Sequence, residues 1–251
     1  MFVKELWRYP VKSMAGEQVQ TIELTRGGFA DDRKILVLGS DGHIITSRTH
    51  HRLLGLKGTL GNDGVAHISG HRWDSPEALE LMNKAVGPGA KLVSYEGVER
   101  FDVLPLLIAT DGAIEHMGFD GRRLRPNVIV GGVKDLEERK WEGRNLRVGD
   151  AIIHAAQLRR RCVMTTYDPD TLEQDRNVLR RIVQELDGTM ALDCSVLQGG
   201  VLRVGDSVTI VDGFQTGQEA VCTPRHAGSF QAACTAAPLA SAINSSTDHW
   251  S

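Results

Sequence analysis

The chain has 251 residues, 41% of them hydrophobic and 24% charged, with a formal net charge of −3. That length buries a sizeable core, as one large domain or two closely joined ones, and the mild acidity argues against a general nucleic-acid or membrane-surface binder. No run approaches the ~20 apolar residues of a membrane span, and Met1-Phe2-Val3-Lys4-Glu5-Leu6 lacks the apolar core of a secretion signal.

From Met1 to about Gly70 the chain reads as short strands and turns. Residues 3–9 alternate until Pro10 breaks them, and residues 19–24 alternate again. Arg26-Gly27-Gly28 is a turn, Lys34 to Leu38 a buried strand, and Ser40-Asp41-Gly42 a hairpin signal before His43-Ile44-Ile45-Thr46 returns. Leu53 to Leu60 and Val65 to Ile68, split by Asn62-Asp63-Gly64, predict another hairpin. Strands this closely spaced favour a small barrel or sandwich.

Asp74-Ser75-Pro76-Glu77 predicts a helix start, since a capping side chain precedes proline in the first turn and an acid near the positive end of the dipole. That helix should stop near Gly87-Pro88-Gly89. Pro105 to Ala109 is short and apolar, Thr110-Asp111 caps a brief helix ending at Gly118, and Val128-Ile129-Val130 is a buried strand. Asn145 to Ile153 echoes Val201 to Ile210, each with Gly-Asp between two short strands, which predicts paired hairpins of one β domain. Between them, Val178, Leu179, Ile182, Val183 and Leu186 have helical spacing, closed by Gly188. From Thr216 to Ser251 the chain is rich in Ala, Ser, Thr and Gly with scattered apolar residues, which reads as a mobile tail that could dock weakly.

The chemistry concentrates between Leu158 and Thr171, where Arg159-Arg160-Arg161 runs into Cys162. A cysteine beside guanidinium groups has its thiolate favoured, and the thiolate is the form that attacks electrophiles and binds soft metals. The same arginines would grip a planar or anionic ligand through forked hydrogen bonds. The bland alternative is a small buried cysteine ahead of Val163 and Met164, beside a solvated arginine face. Arg122-Arg123-Arg125 and Arg180-Arg181 are further basic clusters, and against the near-neutral background they suggest a small anion rather than a polymer. Cys162, Cys194, Cys222 and Cys234 show no Cys-x-x-Cys pair and no zinc-like spacing, so a reducing, cytoplasmic setting is expected.

Other pieces have the look of a site. Lys12 and Ser13 stand at a strand break, and taken alone they read best as a solvated turn. Asp31-Asp32-Arg33 opens the next strand. Arg125-Pro126-Asn127 precedes a buried strand, with proline expected to hold Arg125 extended and Asn127 offering both donor and acceptor.

Taken in order, Tyr-Pro-Val-Lys-Ser at 9–13, Asp-Arg at 32–33, Thr-Ser-Arg at 46–48, Arg-Pro-Asn at 125–127, Arg-Cys-Val-Met-Thr-Thr-Tyr-Asp-Pro-Asp-Thr at 161–171 and Val-Gly-Asp at 204–206 resemble a MOSC protein. The branch it is most similar to carries an N-terminal β-barrel domain and includes the mitochondrial amidoxime-reducing component. The resemblance runs from about Met1 to Gly213. It implies a β-rich α+β fold, with a β-barrel-like domain at 1–90 packed on a MOSC β-barrel domain at 91–213, a few short helices, and a tail at 214–251.

The resemblance also implies molybdenum carried on molybdopterin, with Cys162 as the metal's thiolate ligand. Lys12, Ser13 and Arg33 match cofactor-holding residues of the first domain, and Arg125, Asn127, Arg160 and Arg161 those of the second. The arginines would face the cofactor phosphate and Asn127 the pterin edge. Asp102 falls near a family carboxylate beside the metal. Three departures alter the pocket's polarity: Val103 and Leu104 replace small hydroxyl residues, Arg160 replaces serine, and Asp193 stands at an aromatic position.

The activity so implied is an oxidoreductase that removes oxygen from a small N-hydroxylated substrate, with no nucleic acid and no membrane involved. Its electrons must come from a separate donor protein, a ferredoxin- or flavodoxin-like reductase chain, since the sequence has no nucleotide-binding Gly-x-Gly-x-x-Gly after a strand and no iron–sulfur spacing. The alternatives are a sulfur or cofactor carrier that holds a persulfide on Cys162, and a metal-free anion-binding module.

Overall fold

The computed structural model describes residues Met1–Val211. The expected tail, with Cys222 and Cys234, lies outside the described residues. In chain order the strands of the first half are β1 (Phe2–Arg8), β2 (Glu17–Val19), β3 (Thr21–Thr25), β4 (Gly28–Phe29), β5 (Ile35–Leu38), β6 (Gly58–Leu60), β7 (Ala66–Ile68) and β8 (His71–Arg72), followed by helix α1 (Pro76–Val86). The second half continues with β9 (Lys91–Ser94), β10 (Leu106–Thr110), α2 (Asp111–Met117), β11 (Val128–Gly131), β12 (Asn145–Val148), β13 (Ala151–Arg160), α3 (Arg176–Leu186), β14 (Thr189–Gln198), β15 (Gly200–Arg203) and β16 (Val208–Val211).

Eight strands form one mixed sheet in the order β16-β12-β13-β14-β10-β11-β1-β2. Only β10 and β11 run parallel in it, and α2 makes the crossover that a parallel pair requires. The remaining strands form three small sheets, β15-β3-β4, β5-β9 and β6-β7-β8, so the β-rich α+β organisation expected from the sequence holds.

Alternation buries Ile22 and Leu24 of β3, and a register shift between Val3 and Glu5 turns both Val3 and Leu6 of β1 inward, so that with Phe29 they share one core with Leu106, Ile108, Val128, Leu192 and Val208. A second core gathers Val11, Met14, Ile35, Val37, Leu53, Ile68 and Met82 beneath α1. A third packs α3, through Val178, Ile182 and Leu186, against Ala113 and Met117 of α2.

The helix signals act as read. Ser75 caps α1 by accepting from the Ala78 N–H at 3.2 Å. Thr110 caps α2 by accepting from Ala113, and Gly118 ends it in the left-handed conformation. At the end of α3 both Asp187 and Gly188 take positive φ, 53° and 74°, and the Gly188 N–H reaches back to the Ile182 carbonyl at 3.1 Å.

Four expectations need correction. Leu53 and Leu54 lie in a 3₁₀ turn, His51–Gly55, because Leu53 must turn inward to the second core. The 19–24 strand divides at Gln20, whose carbonyl accepts from the Val204 N–H, so β2 and β3 enter different sheets. The return over 43–46 makes only an isolated bridge, Leu38 to Ile44. The second echo is not a hairpin: β15 pairs with β3 while β16 pairs with β12, so the Gly205-Asp206 turn transfers the chain between sheets.

Candidate functional site

A cavity of about 560 Å³ opens where the segment after β1, the loop after β5, the segment before β10 and the end of β13 meet. Its wall carries eight cations, Lys12, Arg33, Arg48, Arg123, Arg125, Arg159, Arg160 and Arg161, against three carboxylates, Asp102, Glu142 and Asp193. That excess of positive charge sits in a chain of net charge −3, so the field is concentrated at this one place. Cys162 and Ser13 lie on the same wall.

Asp102 is the centre of the polar network. Its Oδ1 accepts from Lys12 Nζ at 2.9 Å, and its Oδ2 from Arg48 Nη2 at 2.8 Å and Arg159 Nη2 at 3.3 Å. Burial alone would raise this carboxyl, but Lys12, Arg48 and Arg159 hold it well below the ordinary carboxylate range. Lys12, itself buried, also donates to the Arg100 carbonyl at 2.8 Å, and its burial lowers its pKa against the opposing pull of Asp102. Arg159 reaches across to Asp193 Oδ1 at 3.0 Å, where burial raises the carboxyl despite the guanidinium beside it.

A second network joins Arg33 and Asn127. The fully buried Asp32 accepts from Arg33 Nη1, from Asn127 Nδ2 at 3.2 Å and from the Tyr9 N–H at 2.7 Å. Asn127 donates its other amide hydrogen to the Trp7 carbonyl at 3.3 Å and accepts from the Leu107 N–H at 3.2 Å. Both amide hydrogens of Asn127 are therefore committed to protein acceptors, and what it presents to the cavity is a fixed Arg33.

Three cavity residues, Ser13, Arg33 and Arg125, take the left-handed backbone conformation with φ of 70°, 55° and 57°. For residues other than glycine this costs of order 1 kcal/mol each, and such strain gathers at ligand sites. Arg125 corrects the extended conformation read from Pro126. It caps the 3₁₀ turn Gly121–Leu124, and the left-handed turn sends its guanidinium to the Met14 carbonyl at 2.5 Å. Proline disfavours the right-handed helical region for the residue before it, and Arg125 takes the left-handed one, at φ 57°. Burial lowers the Arg125 and Arg161 pKa values to about 10.

Cys162 begins the 3₁₀ turn Val163–Thr166 in extended conformation and is half-buried. Thr165 Oγ1 donates to the Cys162 carbonyl at 2.8 Å, which fixes the backbone under the thiol. Arg48 lies against both Asp102 and the Cys162 sulfur, which together hold its pKa up against burial. Met164 stands beside them, its Sδ accepting from the buried Ser47 at 3.4 Å. Arg161 donates Nη2 to the Leu124 carbonyl at 2.8 Å, and its buried Nε has no partner among the described residues.

The structure thus brings Lys12, Ser13, Arg33, Asp102, Arg125, Asn127, Arg160, Arg161 and Cys162 to one cavity. It adds residues the site reading had left out. Arg48 was in view within Thr46-Ser47-Arg48, and Arg159 within the arginine triplet. Strand alternation was the usable signal for the triplet: Arg159 and Arg161 turn inward while Arg160 is exposed at the rim. Tyr9, Asp32 and Met164 stood within the motifs at 9–13, 32–33 and 161–171 without being singled out as site residues.

The match to known families follows this geometry. A MOSC N-terminal beta barrel domain matches residues 1–89 and a MOSC domain residues 108–209. Mitochondrial amidoxime reducing component 2 of Macaca fascicularis and of Homo sapiens are each 27% identical, over 82% of this chain and 82% of theirs. Mitochondrial amidoxime-reducing component 1 of Mus musculus is 25% identical over 69% of this chain and 68% of its own. Among solved structures, the YUAD protein from Bacillus subtilis covers 83% of this chain and 94% of its own at 15% identity and a TM-score of 0.46. YiiM from Escherichia coli covers 83% of this chain and 72% of its own, with 15% identity and a TM-score of 0.41. The chain belongs to the MOSC proteins, with a MOSC N-terminal beta barrel domain ahead of its MOSC domain.

Proposed function

We propose that the chain is a molybdenum-cofactor-dependent oxidoreductase that reduces small N-hydroxylated compounds. The observation that carries this reading is a half-buried thiol, Cys162, on the wall of a cavity lined by eight cations. The donor set fits molybdopterin. It offers one soft sulfur for the metal, a buried guanidinium Nε on Arg161 with no protein partner, and the exposed Arg160 at the rim. Lys12, Ser13, Arg125, Arg160 and Arg161 would hold the phosphate and the pterin, Arg33 would be aimed by Asp32 and Asn127, and Cys162 would ligate the metal. When bound, the group supplies two-electron oxygen-atom transfer.

The protein's own part is position and field. Asp102 keeps Lys12, Arg48 and Arg159 from repelling one another. Val103 and Leu104 give the cavity an apolar lip, which suits a substrate whose N-hydroxy group is attached to a hydrocarbon body. The chain holds no electron-carrier motif, so a separate ferredoxin- or flavodoxin-like reductase chain in a reducing, cytoplasmic setting completes the proposal. No helix among the described residues is long and apolar enough to cross a membrane.

The test is metal and pterin analysis of protein made in a cofactor-competent host, followed by reduction of an N-hydroxy substrate with an artificial electron donor. Stoichiometric molybdenum with turnover is expected. Cys162→Ser is expected to stay folded, lose most of its molybdenum and fall to the background rate. Native turnover in that variant removes the ligand assignment, and a labile sulfur on Cys162 without turnover moves the chain to the carriers.

A further inference from the structure

We propose that Tyr9 is a positioning residue that holds Arg33 and Arg125 together as a two-pronged anion grip. The inference deepens the proposed function, and it rests on the cavity being an anion site.

The two guanidiniums come from stretches far apart in the chain, Arg33 ahead of β5 and Arg125 ahead of β11, and both line the cavity. They are close enough for each to feel the other's charge, since Arg33 contributes to lowering the Arg125 pKa. Two like charges brought this near need a neutral or negative surface between or beneath them. The structure supplies one aromatic ring: Arg33 Cζ lies 4.9 Å and Arg125 Cζ 4.5 Å from the centroid of Tyr9. A ring face is attractive to cations at that range.

Every polar group of Tyr9 also points to one of the two arms. Its carbonyl accepts from the Arg33 N–H at 2.7 Å, and its N–H donates to Asp32, the carboxylate that aims Arg33. Its hydroxyl donates to the Pro126 carbonyl at 3.0 Å, next to the left-handed turn of Arg125. The ring is buried, 3% exposed. Gly16 makes room for it. A Cβ there would stand 2.4 Å from the Arg8 carbonyl and 2.6 Å from the Tyr9 ring.

A ring that only filled space would do so whatever its electrons. The experiment therefore varies the electrons and keeps the shape, using phenylalanine and then di- and trifluorophenylalanine at position 9 of the full cofactor-free chain. Affinity for inorganic phosphate is measured by calorimetry, with circular dichroism to confirm the fold. Tyr9→Phe should bind phosphate within about threefold of the wild type, because the ring faces remain. Fluorination should then weaken binding stepwise, to about tenfold or more at the trifluoro stage. Tyr9→Leu should be at least as weak. Equal affinity across the fluorinated series overturns the role of Tyr9 while leaving the anion site intact. A wild-type chain that binds no phosphate overturns the anion site and the role of Tyr9 with it.

Discussion

Asp102 is a carboxylate serving three cations from three stretches of chain, and that makes it both a brace and a competitor. It is 30% exposed at its side chain, while Lys12 beside it is 9% and Arg159 16% exposed. Asp102→Asn keeps the shape and removes the charge, which should destabilise folding by about 2 kcal/mol, less than for a fully buried pair. The same change removes a negative charge from the cavity, so phosphate affinity should rise by several-fold. Opposite signs in a denaturation curve and a phosphate titration confirm the double role, and loss of both properties together reduces Asp102 to a scaffold residue. Much of this site was legible because the ordered motifs place Lys12, Arg33, Arg125 and Cys162 on positions of known chemical character. Arg48 and Arg159 as partners of Asp102 were not, since the pairing joins residues distant in sequence. The backbone of Arg125 was misread because proline restricts its neighbour without choosing between the extended and left-handed escapes.

At the scale of elements, the β10–α2 junction carries a titratable device. Thr110 caps α2, and its Oγ1 donates to Glu138 Oε2 at 2.6 Å, with Glu138 only 1% exposed. Burial raises the Glu138 carboxyl from 4.5 to about 7, against the lowering effect of the Thr110 hydrogen bond. A folded-state pKa above the unfolded one means the unfolded chain loses its proton first, so stability falls as pH rises from about 4.5 to about 7 and is level beyond. The fall attributable to this group is of order 3 kcal/mol. Glu138→Gln should flatten that slope in urea titrations between about pH 4.5 and about pH 7, and an unchanged slope assigns the pH dependence elsewhere. Ser75→Ala, by contrast, should cost about 1 kcal/mol at every pH, as read from the thermal midpoint. Such caps are local, which is why α1 and α2 could be read from their first residues, while α3 was legible from the helical spacing of Val178, Ile182 and Leu186. The fate of the echoed strands could not. Val201-Leu202-Arg203 and Val208-Thr209-Ile210 look like one hairpin in sequence, and only long-range pairing with β3 and β12 sends them apart.

Across the whole molecule, the first thirty residues are not an appendage to the large sheet. β1 pairs with β11 through Phe2 to Gly131 and Leu6 to Val128, and Ile22, Leu24 and Phe29 fill the same core as Leu192 and Val208. A chain beginning near residue 90 would lose the β1 pairing, open the edge of β11 and uncover the core that Ile22, Leu24 and Phe29 fill. It should therefore show no cooperative unfolding transition by calorimetry. Cooperative melting of that fragment at the full chain's temperature would mean that β1 and β3 are dispensable to the core.

The clasp on Asp102 also sets an order of events in the cell. During synthesis Lys12 and Arg48 leave the ribosome long before Arg159, and until β13 folds the cleft has only part of its wall. An anion offered to a half-made chain meets Lys12, Arg33 and Arg125 without Arg159, Arg161 and Cys162 to close the wall around it. On the proposed function, retention of the cofactor is expected only once β13 has closed the wall, so a chain truncated before Arg159 should fail to keep it.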